Sequence, residues 1–278
     1  RKGHPAQRRN KHKKAMSKSK SKKRRKSMAR GRAKPAAIIT CCLLLIIGLI
    51  CAIIVGAHSS NKKPVLFETN EDYVQGIDIS SHNGDIDWET VAQNTDFVII
   101  RVGYRGYGTG KITADSKFEQ NIKGATDAGI RTGVYFYSQA TTEEEAREEA
   151  EFTLKAISGY DVSLPVFIDY EYAHGPDGEL AGRPYDADLS SADAAGIINA
   201  FCGRISRRGK FCGLYANSSV LNKNIKTSAL NKDAYIWVAD YNKSVTYLGS
   251  YDLWQYTKNG SCEGINSKHV DENRWFIK

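Results

Sequence analysis

The stretch Pro165-Val-Phe-Ile-Asp-Tyr-Glu-Tyr172 is an unbroken apolar strand run that ends in Asp169-x-Glu171. Successive side chains of a strand point to opposite faces, so Asp169 and Glu171 leave the chain side by side from one face. Two carboxylates delivered together from a hydrophobic run are costly to desolvate unless they are used or compensated. Glycosidic bond cleavage needs such a pair, one carboxyl to protonate the leaving oxygen and another to stabilise the developing cation. The competing reading is a strand end with two solvated acids, and the surrounding sequence decides between them.

On either side of this run the chain alternates short apolar segments with helical patterns, the mark of parallel strands joined by crossover helices. Strands are expected at Val74–Ser80, Phe97–Gly103, Thr132–Ser138, Leu164–Tyr172, Phe211–Ala216, Ala234–Tyr241, Tyr251–Tyr256 and Val270–Phe276. Helices are expected at Asp87–Gln93, Phe118–Ala128, Thr142–Ile157 and Ser190–Arg207. Thr142-Glu-Glu-Glu145 opens the third of these with an N-cap hydroxyl and acids at the positive dipole end. Gly129 and Gly209 fall where helices should stop. Helices that thin out after the fifth strand predict a closed α/β barrel with incomplete helical cover, whose active site gathers at the C-terminal ends of the strands. Asp78, Asp169, Glu171 and Asp271 would then converge from distant parts of the chain.

Charge is divided unevenly. Residues 1–34 hold 17 Lys and Arg and no acid, so the remainder has 23 basic against 31 acidic residues, a net of −8, although the whole chain carries +9. A basic run such as Lys18 to Lys26 could grip nucleic acid, but it abuts the long uncharged stretch Ala36 to Ala57. That stretch would extend roughly 33 Å as a helix, enough to cross a bilayer core. Its flanking cations predict a cytoplasmic N-terminus and an extracellular C-terminal domain, with no nucleic-acid partner. A secreted form would follow from cleavage near Ala57. The expected organisation is a basic tail over 1–35, a transmembrane helix over 36–57, a polar linker over 58–72 and a barrel domain over 73–278.

Cys41, Cys42 and Cys51 fall in the expected span, and Cys202, Cys212 and Cys262 in the outer domain, where an odd count leaves at least one thiol unpaired. Whether Cys202 and Cys212 pair stays open at this level. No Cys-x-x-Cys or His-x-x-x-His spacing occurs, and His82, His174 and His269 are scattered without a nucleophile, so neither a metal, a cofactor nor a triad is expected.

In order along the chain come Gly76-Ile-Asp-Ile-Ser80, Ile86-Asp-Trp88, Phe97-Val-Ile-Ile-Arg-Val-Gly103, Ala128-Gly-Ile-x-x-Gly-Val-Tyr-x-Tyr137 and Val166-x-Ile-Asp-x-Glu171. Phe201-Cys-x-x-Ile205, Gly213-x-Tyr-Ala-Asn217, Trp237-Val-Ala239, Leu253-Trp-Gln-Tyr256, Gly264-Ile265 and Val270-Asp-x-Asn273 follow. Taken together, residues 74–278 resemble glycoside hydrolase family 25, the Chalaropsis-type lysozymes or N-acetylmuramidases. The resemblance implies an irregular TIM-like (β/α)5β3 barrel and hydrolysis of the β-1,4 bond between N-acetylmuramic acid and N-acetylglucosamine in peptidoglycan, without a cofactor. It maps the family's acids onto Asp78, Asp169, Glu171 and Asp271, with Glu171 as general acid. Asp169 would act either as nucleophile or by orienting the substrate's N-acetyl group.

The individual residues also have blander readings. Asp78 could cap a helix or anchor a loop, and Asp271 could be an exposed strand residue. Asp240 is expected to be a decoy, and Asp115 to brace a loop near Phe118. Tyr137 and Tyr215 sit toward the catalytic ends of their strands, where aromatic faces can stack on sugars or simply fill the barrel. Trp237 and Tyr241 are placed in the barrel mouth by the resemblance. Gly103-Tyr-Arg-Gly-Tyr-Gly108 lacks a phosphate loop's Lys-Ser/Thr ending and reads as a flexible loop over the groove. The sequence thus predicts a monomeric, membrane-tethered wall hydrolase. The alternative is a catalytically silent barrel that binds wall glycans as a scaffold.

Overall fold

The computed structural model describes residues 63–277. The expected tail (1–35) and membrane span (36–57) lie outside the described residues, among which no helix is long and apolar enough to cross a membrane.

The strands are β1 (Tyr73–Ile79), β2 (Phe97–Arg105), β3 (Ile112–Ala114), β4 (Arg131–Ser138), β5 (Val166–Tyr170), β6 (Ala173–His174), β7 (Leu180–Ala181), β8 (Cys212–Asn217), β9 (Tyr235–Ala239), β10 (Leu253–Gly260) and β11 (Val270–Phe276). The helices are α1 (Trp88–Val91), α2 (Phe118–Asp127), α3 (Glu143–Ala156), α4 (Arg183–Asp186), α5 (Ser191–Ser206) and α6 (Ser218–Lys223). Neighbouring strands run in the order β1-β11-β10-β9-β8-β5-β4-β2, and pairing of β1 with β2 closes the ring. Five strand–helix units are followed by β9, β10 and β11 without covering helices, the expected (β/α)5β3 pattern. One orientation differs from the uniform parallel barrel: β11 is antiparallel to both β10 and β1.

Local chemistry accounts for the helix ends. The Thr142 hydroxyl accepts from the Glu145 amide at the start of α3, and Ser190 and Asp193 form a reciprocal capping box on α5. Along α5, Ala194, Ile197, Ile198, Phe201, Cys202 and Ile205 are buried at helical spacing and form the face turned to the sheet. Gly129 (φ +76°) and Gly209 (φ +73°) take the left-handed conformation that ends a helix.

Aromatic rings fill the barrel. Phe97, Phe167, Tyr235, Trp237 and Trp275 are all buried in one cluster. Glycines make room for them: a Cβ on Gly213 would lie 2.3 Å from the Phe167 ring, and one on Gly76 would lie 2.5 Å from the Phe97 ring. Large side chains facing absent ones are how a small barrel interior packs without a void.

Three expectations need correction. Residues 63–72 are not a free polar linker. Phe67 is buried against Phe97 and Trp275, the Arg131 guanidinium lies 4.5 Å from its ring centroid, and Tyr235 donates to the Pro64 carbonyl. Phe97 and Tyr235 begin their strands, so this segment closes the barrel floor, at the end opposite the C-termini of the parallel strands. Second, β2 extends to Arg105 because residues 103–105 pair with β3, so only the tip of the expected flexible loop is irregular. Arg105 is buried against Glu149 at 2.7 Å and also contacts Glu148, tying this hairpin to α3. Third, α6 was not anticipated. The Asn217 side chain accepts from the Val220 amide and caps it.

Cys202 and Cys212 form a disulfide joining α5 to β8, with Cα atoms 5.3 Å apart, and Cys262 is a free thiol.

Candidate active site

Strand geometry gathers the four acids at one rim. Asp78, near the end of β1, stands opposite Asp271 in the β1–β11 ladder. Asp271 is only the second residue of β11, yet antiparallel pairing brings that beginning to the rim where β1 and β5 end. Asp169 is the penultimate residue of β5 and Glu171 follows the strand directly. Asp169 is flanked in register by Tyr137 on β4 and Tyr215 on β8, and Tyr215 by Trp237 on β9, which makes one layer of the interior.

A hydrogen-bonded chain fixes the deepest acid. Asp78 Oδ2 accepts from Gln255 Nε2 and from Asn273 Nδ2, each at 2.8 Å. The amide oxygens that orient these two groups are themselves occupied. Gln255 Oε1 accepts from the hydroxyls of Tyr215 (3.0 Å) and Tyr241 (2.7 Å), and Asn273 Oδ1 accepts from Trp237 Nε1 (2.8 Å). Each amide therefore has to present its NH2 to Asp78.

The electrostatics favour protonated carboxyls. Burial, then the nearby Glu171 and Asp78 charges, push Asp169 well above the usual carboxylate range against the pull of Arg101. Burial and Asp271 likewise raise Asp78, opposed by its two amide bonds. Burial and the Asp271 charge raise Glu171 to about 7, and burial raises Asp271 to about 6, with Lys258 opposing both shifts. Such groups titrate as a set, sharing fewer protons than sites.

A groove of about 1030 Å³ opens onto this rim, lined by Asp169, Glu171, Arg101, Tyr104, Tyr107 and Tyr137 among others. Asp169 Oδ1 is buried without a partner, and the Glu171 carboxylate accepts no hydrogen bond from any described residue. Both groups are thus free for an incoming molecule. Arg101 is held in place, donating from Nε to Asp115 (2.8 Å) and from Nη2 to Ser81 (3.2 Å). Among the described residues no cluster of three or more His, Cys, Asp or Glu is arranged to hold a metal ion.

The structure divides the expected aromatic residues into two groups. Tyr137 lines the groove and Tyr241 is 49% exposed at the rim. Trp237 is 1% exposed and Tyr215 8%, with their ring centroids 4.6 Å apart, so neither offers a face to a sugar. They support the site from beneath through Asn273 and Gln255, and the expectation of direct contact is corrected. Asp240 is a loop anchor, as expected of a decoy. Burial alone would raise its carboxyl, but donors from Ser218 and Thr246 outweigh that and hold it below the ordinary range. Asp115 braces its loop through the Ser81 and Lys117 amides. Gln255 and Asn273 received no role from sequence, although strand alternation puts Asn273 on the same face as Asp271.

The family model for glycosyl hydrolases family 25 matches residues 77–265, more than half of the chain. The chain belongs to glycoside hydrolase family 25. The family 25 barrel is 27% identical over 201 residues to the autolytic lysozyme of Clostridium acetobutylicum, a match covering 72% of this chain and 55% of the relative. It is 26% identical over 212 residues to lysozyme M1 of Streptomyces globisporus, covering 73% and 67%. Among solved structures, it superposes on the modular autolysin LytC of Streptococcus pneumoniae, in complex with a synthetic peptidoglycan ligand, with a TM-score of 0.63 and 28% identity, covering 75% of this chain and 48% of that one. A family 25 glycosyl hydrolase of Bacillus anthracis gives a TM-score of 0.60 at 23% identity, covering 78% and 95%. The chain thus spans about half the length of the autolysins it matches.

Proposed function

We propose that this family 25 enzyme is a peptidoglycan lysozyme, an N-acetylmuramidase that hydrolyses the β-1,4 bond from N-acetylmuramic acid to N-acetylglucosamine with Glu171 as general acid. One observation carries the reading: Glu171 lines an open groove, holds its proton up to about 7, and adjoins the unpartnered carboxylate oxygen of Asp169. A groove-facing acid that stays protonated near neutrality can donate to a leaving glycosidic oxygen. Asp169, deeper and next to the Arg101 charge, then serves the developing cation, as nucleophile or by orienting the N-acetyl group. The Asp271 charge helps sustain the protonation of the acid, and Asp78, paired with Asp271 in the ladder, completes the carboxyl set at the rim. Tyr137 and Tyr241 are placed to contact the sugars. The kinship to lysozymes and an autolysin supports this substrate class.

Mass spectrometry of fragments released from purified peptidoglycan tests the reading. N-acetylmuramic acid is expected at each new reducing end. Fragments ending in N-acetylglucosamine would refute the bond assignment, and no new reducing ends would leave a glycan-binding scaffold.

The uncharged segment 36–57 behind a tail of 17 cations supports a single-pass protein, N-terminus cytoplasmic and barrel outside the cell. The Cys202–Cys212 disulfide supports an oxidising location for the barrel. Deleting residues 1–34 is expected to scramble orientation, read by protease accessibility of the barrel on intact cells. Unchanged accessibility would remove the topogenic role from the tail.

A further inference from the structure

β10 is irregular where it reaches the rim. Gln255 pairs with Asn273 on β11, but the next pair is Thr257 with Glu272, so two residues of β10 span one step of β11. An inserted residue flips the side-chain pattern to the opposite face. Gln255 points inward, to Asp78. Strict alternation would send Thr257 inward and Lys258 out to solvent. The bulge reverses this. Thr257 falls opposite Glu272, which lies on the outer face and accepts from the Tyr256 hydroxyl, and Lys258 turns toward the Tyr241 ring at the mouth, where its charge is felt by Asp271. Its ammonium sits 5.5 Å from the centroid of the Tyr241 ring, whose hydroxyl is bonded to inward-facing Gln255. The positive charge also reaches Glu171 and Asp271, opposing the rise of both.

Among the described residues Lys258 forms no hydrogen bond and no ion pair, whereas Arg101, the cation of the opposite wall, is bound to Asp115. A wall glycan is itself anionic, and residues 35–278 carry a net charge of −8 with four carboxylates at the mouth. A strand entering there meets Arg101 in the groove lining, already tied to Asp115, and Lys258, which no described carboxylate pairs with. A compact ammonium on a flexible stem suits a carboxylate whose position varies along the strand.

We propose that Lys258 binds a carboxylate of the glycan strand beside the scissile bond, so that the enzyme selects muramic-acid strands over neutral N-acetylglucosamine polymers. The proposal rests on the muramidase reading. The carboxylate is carried by the lactyl arm of the muramic residue or, where that arm is amidated, by the peptide attached to it.

Three glycans of equal length separate these sources: a peptide-free strand with free lactyl carboxylates, the same strand with its lactyl groups converted to methylamides, and a peptide-bearing strand. For the wild type, kcat/KM is expected to favour the free acid over the methylamide. In Lys258→Gln that ratio should fall about fivefold, through KM, as an exposed ion pair allows. The wild-type preference should also weaken with added salt. A fall confined to the peptide-bearing strand keeps the proposal and assigns the carboxylate to the peptide. Equal losses on all three strands, or no loss on any, overturn it. Calorimetric binding of the free-acid and methylamide strands, compared for Glu171→Gln and for Glu171→Gln/Lys258→Gln, reads the same discrimination without turnover. If the wild type cuts none of the strands, the muramidase reading fails, and these binding ratios still decide the role of Lys258.

Discussion

Replacing Glu171 by Gln is expected to lower kcat on peptidoglycan by about 10²–10⁴-fold, the usual contribution of a positioned general acid. Glutamine keeps the shape of the protonated acid but has no proton to give. The Glu171 carboxylate accepts no hydrogen bond in the structure, so the change breaks none, and glycan affinity and fold should survive. The sign of the pH dependence follows from the same environment. Burial and Asp271 raise Glu171 to about 7, so the active, protonated form dominates below that pH and is lost as pH rises through it. Activity should therefore show an alkaline limb near 7. Asp271→Asn removes the negative neighbour and should move that limb to lower pH. A kcat in Glu171→Gln within threefold of wild type, or an alkaline limb that stays in place in Asp271→Asn, would refute the assignment.

Trp237→Ala should produce the largest loss of stability, about 3–5 kcal/mol, because the ring is 1% exposed and packs on Phe167, Tyr135 and Tyr215. The effect should extend to catalysis. Without the indole N–H, Asn273 Oδ1 has no donor, Asn273 is free to rotate, and Asp78 loses one of its two amide partners. Trp237→Phe separates the two effects, since it keeps most of the packing while leaving a buried acceptor unsatisfied, a loss of about 1–3 kcal/mol. Denaturant unfolding and kcat measured on both variants check this. If Trp237→Phe matched wild type in both, the ring would be a space-filler with no tie to the acids.

Much of the site was legible because alternation in a strand is strictly local. The Asp169-x-Glu171 pair follows from period-two geometry, and the floor-to-rim direction follows once parallel strands are inferred. What lay hidden depends on register between strands far apart in sequence. That Asp271 reaches the rim from the start of an antiparallel strand is a property of the β1–β11 ladder. The roles of Gln255 and Asn273 arise only when β10 and β11 lie beside β1, and the bulge that turns Lys258 inward leaves no mark in residue type. The reversal of Trp237 and Tyr215 from sugar contacts to supports has the same origin. Their strand positions are readable, but their burial shows only once β8 and β9 lie beside β5 and the Tyr215 hydroxyl meets Gln255 on β10. Phe67 ends a run of only three apolar residues, Val65-Leu-Phe67, which is too short to show a period.

The way residues 63–67 fasten beneath the strands has a geometric corollary. The polypeptide enters the barrel at the pole farthest from Glu171, with Lys63 paired to Asp252 and Phe67 seated below the rings. Lys63 and Phe67 therefore fasten the start of the described chain to the pole opposite the cutting rim, so the groove mouth is left uncovered by this segment.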